Sequence, residues 1–199
     1  MRTMTTMASI LLFIRHAETA LKGTFCGQSD PALNADGLAQ LPALVARLTC
    51  FKLDLVLTSD LARAEQTATA IAEPHQLAIQ ARSALREIDF GAWEGLTWEE
   101  IERRDPAYAS RWVAEFPALP APGGEGIPQF KHRVLEEIAW LRQLPQTTIA
   151  VVTHAGVLRV LLEELGHFSP HHAWERTRDY TCTIRCTQQT QDGYLEIHP

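Results

Sequence analysis

The sequence is short of the features that anchor, staple or electrostatically recruit a chain. Its N-terminal apolar run, Ile10-Leu11-Leu12-Phe13-Ile14, ends after five residues at Arg15. That is too short for a spanning helix or the apolar core of a signal peptide, so a cytoplasmic protein with no membrane partner is expected. Cysteine is sparse: Cys26, Cys50, Cys182 and Cys186 are scattered, with no CxxC pair, which favours reduced thiols over a disulfide framework. Positive charge is in the minority, with 18 Lys and Arg against 24 Asp and Glu and a formal net charge of −6. A nucleic-acid partner or an anionic membrane surface needs a broad basic face, and this balance argues against both. It still allows one small cationic pocket.

What is present is a globular composition, 46% hydrophobic and 21% charged over 199 residues. A single domain over 1–199 is expected, large enough to bury roughly 70% of its unfolded surface without a metal or disulfide staple. Strand signals at 9–14, 53–57 and 149–153 are continuous apolar runs rather than alternating ones, as in strands covered on both faces. A short strand at 77–80 joins them. Helical patterns follow at 35–48 (capped by Asn34 or Asp36), 60–72 (capped by Ser59 or Asp60), 129–144 and 157–165. Two more helices, at 98–103 behind Thr97 and at 108–115, fall outside the strand–helix alternation. With the Pro- and Gly-rich stretch 117–124 they read as a helical insertion or lid at about 97–126. Strands at 182–187 and 194–198 flank Gln191-Asp192-Gly193 and read as a hairpin whose free edge a second copy could pair with, as a homodimer. The pattern as a whole predicts an α/β fold, a three-layer α/β/α sandwich on a mostly parallel sheet, with ligands at the carboxyl ends of the strands.

Three of those ends carry polar residues: Arg15-His16, Ser59-Asp60 with Arg63 one turn later, and His154. If the strands are parallel neighbours, two His and two Arg converge in one crevice. Guanidinium forks match phosphoryl oxygens, so the ligand such a pocket suits is a phosphate. A His among positive charges has a depressed pKa and keeps a nitrogen lone pair for attack on phosphorus. The departing alkoxide needs an acid, for which Glu87 in the loop 85–95 is the best candidate among nearby carboxylates that include Glu18, Asp89 and Glu94. His171-His172 offers no metal site, because adjacent side chains diverge and no third ligand stands at a usual spacing.

The stretch Leu12-Phe13-Ile14-Arg15-His16-Ala17-Glu18-Thr19 resembles the signature of the histidine phosphatase superfamily, the phosphoglycerate mutase-like enzymes. Four further blocks agree in order: Ser59-Asp60-Leu61-Ala62-Arg63-Ala64-Glu65-Gln66-Thr67-Ala68, Leu85-Arg86-Glu87-Ile88-Asp89-Phe90-Gly91-Ala92-Trp93-Glu94-Gly95, Pro122-Gly123-Gly124-Glu125, and Val151-Val152-Thr153-His154-Ala155-Gly156. The resemblance implies His16 as phosphorylated nucleophile, Arg15, Arg63 and His154 as phosphate clamp, and Glu87 as proton donor and then as base toward water. It implies no metal and no cofactor.

Three positions depart from the family's usual pattern. Ala17 stands where Gly is common and requires a negative φ. Lys22 stands where mutases commonly place a phosphate-holding Asn, and either touches phosphate or points into water. Gly126 replaces a common Ser. The chain's length, the block Phe25-Cys26-Gly27-Gln28-Ser29-Asp30-Pro31-Ala32-Leu33 and the block Phe90-Gly91-Ala92-Trp93-Glu94-Gly95 look most like the α-ribazole phosphatase branch of cobalamin biosynthesis, with Lys22 and Gln28 as candidate substrate contacts. The expected function is therefore a metal-independent phosphomonoester hydrolase for a small phosphorylated metabolite such as α-ribazole 5′-phosphate. The alternatives are a cofactor-dependent phosphoglycerate mutase and a non-catalytic phospholigand-binding protein.

Overall fold

Leu12 and Ile14 of strand β1 (Ser9–Arg15) face one core and Leu11 and Phe13 the other, so the unbroken apolar run reflects a strand with no solvent side. The computed structural model describes residues 9–188 and 195–198. Strands β2 (Leu55–Thr58), β3 (Ile79–Ala81), β4 (Thr148–Thr153), β5 (Thr183–Gln188) and β6 (Leu195–His198) complete a six-stranded sheet in the order β3-β2-β4-β1-β5-β6. The first four are mutually parallel. The β5 strand runs antiparallel to β1 and pairs antiparallel with β6. The turn expected at Gln191-Asp192-Gly193 lies outside the described residues.

Helices α1 (Ala35–Leu48) and α2 (Ala62–Ala72) cover one face, where Leu44, Leu48, Ala64, Ala68 and Ile71 meet the even-numbered side chains of β1. On the other face lie α5 (Ile127–Leu141), α6 (Ala155–Val160) with its π-helical continuation Leu161–Leu165, and α7 (Pro170–Thr177). The α/β/α layering is thus the expected one. Helices α3 (Trp98–Arg104) and α4 (Pro106–Glu115) stand apart from it. They build a small aromatic core in which Trp93, Ile101, Ala109 and Ala121 are buried and Phe25, Trp98, Tyr108 and Trp112 pack around them. Thr97 starts α3 with a full capping box, accepting from Glu100 N while the Glu100 carboxylate accepts from Thr97 N at 2.8 Å.

Two local expectations need correction. Neither Ser59 nor Asp60 caps α2. Its N-cap is Leu61, without a side-chain cap bond, and the amide of Ala62 donates instead to Asp30 Oδ1 at 2.6 Å. Asp60 is taken by Arg86, which grips both carboxylate oxygens at 2.7 Å. Helix α5 begins two residues earlier than the periodicity suggested, with Gly126 as its extended N-cap and Pro128 in its first turn, and it ends three residues earlier, at Leu141.

Candidate active site

The pairing of β1 with β4 places Arg15 opposite Thr153. One residue further, His16 N donates to Thr153 O at 2.9 Å, and the His16 and His154 rings come within 5.0 Å between centroids. Two strand ends far apart in sequence thus deliver two imidazoles to one point. His16 Nδ1 lies 2.7 Å from Ala17 O. A carbonyl only accepts, so Nδ1 carries the proton and Nε2 keeps its lone pair. Arg63 Nε donates to that Nε2 at 3.3 Å. Burial lowers the pKa of His16 well below 6.5, the Arg63 charge lowers it further, and Arg15 adds to the effect against the opposing pull of the Ala17 carbonyl. Burial does the same to His154, reinforced by Arg63, His16, Arg15 and Arg133. His154 is wholly buried, and neither ring nitrogen has a hydrogen-bond partner among the described residues.

Arg63 sits in the first turn of α2 with no exposed surface. Its Nη1 donates to Ser29 O and its Nη2 to Gly27 O, both at 2.6 Å. Those carbonyls are aimed by Glu94, whose carboxylate accepts from the amides of Gly27, Gln28, Ser29 and Phe90 at 2.8–3.0 Å. Burial opposes the Glu94 charge, but the bonds from Ser29, Phe90 and Gln28 outweigh it and hold its pKa below the ordinary value. A Cβ on Gly27 would collide with Ile88 O and Glu94 Oε1, so the loop closes over Arg63 only with glycine there.

Glu87 is buried, with Oε1 accepting from Ile88 N at 3.0 Å and Oε2 from Gly156 N at 2.9 Å. Gly156 leaves no space for a Cβ against Glu87 Oε1. The Glu87 loop is clamped from α5 by Arg133, whose Nη groups donate to the carbonyls of Ala84, Arg86 and Glu87 at 2.8–2.9 Å while the same guanidinium pairs bidentately with Glu125. Thr153 Oγ1 ties the end of β4 to Leu85 O at 2.7 Å.

Arg15 donates through Nη1 to Thr177 O and Arg178 O, and its Cζ lies 4.1 Å above the Tyr180 ring. Tyr180 also packs 5.7 Å from the His16 ring, and burial pushes its pKa up. Arg159 of α6 donates from Nε to Thr177 Oγ1 at 3.1 Å, and burial lowers its pKa.

These groups border a cavity of about 310 Å³ whose wall includes Arg15, His16, Glu87, Arg159, Tyr180 and Trp98. Arg63 and His154 are off that wall, wholly buried. Lys22 and Gln28 are also off it. Lys22 Nζ pairs with Glu18 Oε2 at 2.6 Å, and Glu18 Oε1 accepts from Asn34 Nδ2. Gln28 Oε1 accepts from Arg86 at 3.2 Å. Neither side chain is among the hydrogen-bond or ring partners of His16, which are Ala17, Arg63, His154 and Tyr180 among the described residues. Ala17, another of the three departures, is accommodated: its φ is not positive and its amide donates to Thr67 Oγ1.

Sequence reasoning missed Arg133, Arg159 and Tyr180. Arg159 left a trace, a lone cation inside the apolar run Val157-Leu158-Arg159-Val160-Leu161-Leu162; Tyr180 left none. Among the described residues no group of three or more His, Cys, Asp or Glu is placed to hold a metal, and His171 Nε2 lies 3.5 Å from Glu175 Oε1, one turn along α7.

A family model described as "Histidine phosphatase superfamily (branch 1)" matches residues 11–197. The chain belongs to that superfamily. This histidine phosphatase is 33% identical over 175 residues, 86% of each chain, to an adenosylcobalamin/alpha-ribazole phosphatase of Escherichia coli. It is also 33% identical over a 207-residue alignment to phosphoserine phosphatase 1 of Hydrogenobacter thermophilus, covering 94% of this chain and 97% of the relative. Its backbone matches the crystal structure of the alpha-ribazole phosphatase from Shigella flexneri with a TM-score of 0.85 at 29% identity, over 95% of this chain and 94% of the other. It is an enzyme with phosphatase activity on a small phosphorylated substrate. No helix among the described residues is long and apolar enough to cross a membrane.

Proposed function

We propose that this phosphatase hydrolyses phosphomonoesters through a phosphohistidine at His16, without a metal or cofactor step. The observation that carries the reading is the His16 ring: Nδ1 is committed to Ala17 O, Nε2 is unprotonated, and Glu87 stands on the same cavity wall. Nε2 attacks phosphorus, the bond from phosphorus to the ester oxygen breaks, and a protonated Glu87 gives its proton to the departing alkoxide. Glu87, now a carboxylate, takes a proton from water. The resulting hydroxide breaks the P–N bond, releasing inorganic phosphate and restoring His16.

Arg63 serves this step because phosphorus bonded to Nε2 brings its oxygens within reach of the Nε that now touches the ring. The hydrogen bond passes from a neutral nitrogen to an anionic oxygen and strengthens in the transition state. Arg15 and the single N–H of the neutral His154 ring, which has no other partner among the described residues, complete the clamp. Neither Lys22 nor Gln28 has a role in this reading, since both are engaged elsewhere.

The substrate we favour is α-ribazole 5′-phosphate, on the strength of the relatives from Escherichia coli and Shigella flexneri; phosphoserine is the competitor, from the Hydrogenobacter relative. We read 97–126 as a lid of a single domain, because Trp98 of α3 stands on the cavity wall. The four free cysteines fit a reducing cytoplasm, and β6, at the sheet edge, is where a second copy would add.

The test is rapid quench with a 5′-³²P-labelled ester. One equivalent of acid-labile label per chain, lost in His16→Ala, is the expected result. Turnover by unlabelled enzyme, or isomerisation of phosphoglycerate without net phosphate release, would overturn it.

A further inference from the structure

Thr177 is wholly buried in the last turn of α7 and meets two guanidinium groups at once. Its carbonyl oxygen accepts from Arg15 Nη1 at 2.9 Å, and its hydroxyl oxygen accepts from Arg159 Nε at 3.1 Å. We propose that Thr177 is a positioning residue of this phosphatase: it holds Arg15 and Arg159 toward the phosphoryl group, and Arg159 is a third arginine that binds its oxygens. The proposal rests on the phosphatase reading above and adds to it a residue that itself touches no substrate.

The direction of each bond is fixed from behind. Thr177 Oγ1 donates its proton to Ala173 O at 2.8 Å, one turn back along α7, so its lone pairs are left for Arg159. The carbonyls of Thr177 and Arg178 come at the end of α7, where the last backbone oxygens of a helix lack intrahelical donors and carry partial negative charge. Arg15 Nη1 donates to both.

Neither cation is neutralised by these contacts. Arg15 meets two carbonyls and the Tyr180 ring, and its Nε is buried without a hydrogen-bond partner among the described residues. Arg159 has no other hydrogen bond and no ion pair among the described residues. Glu163, four positions further on, is the partner an α-helix would supply. The chain turns π-helical at Leu161–Leu165, and the wider turn takes Glu163 off that register. A carboxylate would hold a guanidinium more firmly but cancel its charge, whereas neutral oxygens orient it and leave the charge for an incoming anion. Both arginines stand on the cavity wall with His16 and Glu87. Burial lowers the Arg159 pKa, and the Arg15 charge adds to this against the pull of Glu87, so a phosphoryl anion beside the pair relieves an existing repulsion.

Thr177→Val keeps the shape and the backbone carbonyl but removes the acceptor of Arg159, whereas Thr177→Ser keeps that acceptor. The readouts are steady-state kinetics with p-nitrophenyl phosphate and the inhibition constant of inorganic phosphate. Thr177→Val should raise that constant by about tenfold, the scale of one charge-assisted hydrogen bond, and Thr177→Ser should return it to within about threefold of the wild type. In an Arg159→Gln background Thr177→Val should add less than about threefold, because both changes remove one interaction. A purely structural role would lower the thermal midpoint and the active fraction, hence the apparent kcat, and leave the inhibition constant unmoved. An unmoved constant in Thr177→Val, an equal rise in Thr177→Ser, or additive effects with Arg159→Gln overturns the proposal and leaves the phosphatase reading intact. If Thr177→Val does not fold, Arg159→Lys decides, since it keeps the charge and loses the Nε that Thr177 grips: a rise of about tenfold supports the proposal and an unmoved constant overturns it. A wild type that neither cleaves the ester nor carries label on His16 overturns both.

Discussion

Arg63 Nε sits 3.3 Å from His16 Nε2, so the cation that a phosphoryl group needs is hydrogen-bonded to the atom proposed to attack it. The same guanidinium is fixed from behind by two carbonyls of the 27–29 loop. The contact therefore places the charge, suppresses protonation of the ring, and leaves one N–H to be handed to the substrate. A lysine in its place has the charge without the planar fork. Arg63→Lys is expected to lower kcat/KM by about 10²–10³ and to leave the Gly27 and Ser29 carbonyls imperfectly paired. Wild-type kcat/KM in that variant would contradict the arrangement.

The same contact makes a pH prediction. The folded pKa of His16 and His154 lies below that of the unfolded chain, chiefly through burial. Below about 6.5 the unfolded state therefore binds protons that the native state does not, and stability falls as pH drops through that range. NMR titration of the His16 ring should give a midpoint below 6.5, moving upward in Arg63→Gln. A midpoint at or above 6.5 in the wild type contradicts the neutral nucleophile.

Glu87 is asked to act twice, so its replacement should separate the steps. With an ester whose alcohol leaves without help, such as p-nitrophenyl phosphate, Glu87→Gln should still form the phosphoenzyme but hydrolyse it slowly, by about 10²–10⁴. The label on His16 should accumulate. Equal rates of formation and breakdown, both as in the wild type, would remove Glu87 from the mechanism.

Gly156→Ala examines the same carboxylate by geometry, because the added Cβ would overlap Glu87 Oε1. The expected outcome is a fall in kcat of at least about tenfold with little loss of phosphate binding, measured by product inhibition, since a displaced acid fails in proton transfer. An unaltered kcat would show that the Glu87–Gly156 contact is dispensable.

Glu94→Ala leaves four backbone amides without their acceptor and should destabilise the fold by about 1–3 kcal/mol. Because the Glu94 pKa is lowered on folding, its contribution is present above the ordinary Glu value and is lost as pH falls through the folded one. Denaturant unfolding between pH 7 and pH 3 should show wild type and variant converging toward the acid end. A constant gap between them would mean the carboxylate's charge does not matter.

Much of the fold was legible because its signals are local. Continuous apolar runs marked strands with no wet face, and the Pro- and Gly-rich stretch 117–124 separated α4 from α5, so the layers followed from neighbours in the chain. His16, Arg63, Glu87 and His154 were legible for a related reason: each lies within two residues of a strand end or in a compact motif, and a parallel sheet gathers such ends at one edge. The partners of Lys22 and Gln28 were not, since a sequence does not say which of several groups a polar side chain will meet. Glu18, four residues before Lys22, and Arg86, 58 residues beyond Gln28, took them.

The amino-acid sequence alone therefore determined the architecture and the phosphate chemistry, because backbone periodicity and residue type act over a few neighbours. Only the tertiary structure decided which nitrogen of His16 is free, that Arg15 is steadied by carbonyls 162 and 163 residues away, that Arg133 clamps the Glu87 loop, and that Thr177 Oγ1 holds Arg159. Those outcomes depend on strand register and on competition among partners distant in the chain. Neither is encoded in any single stretch of residues.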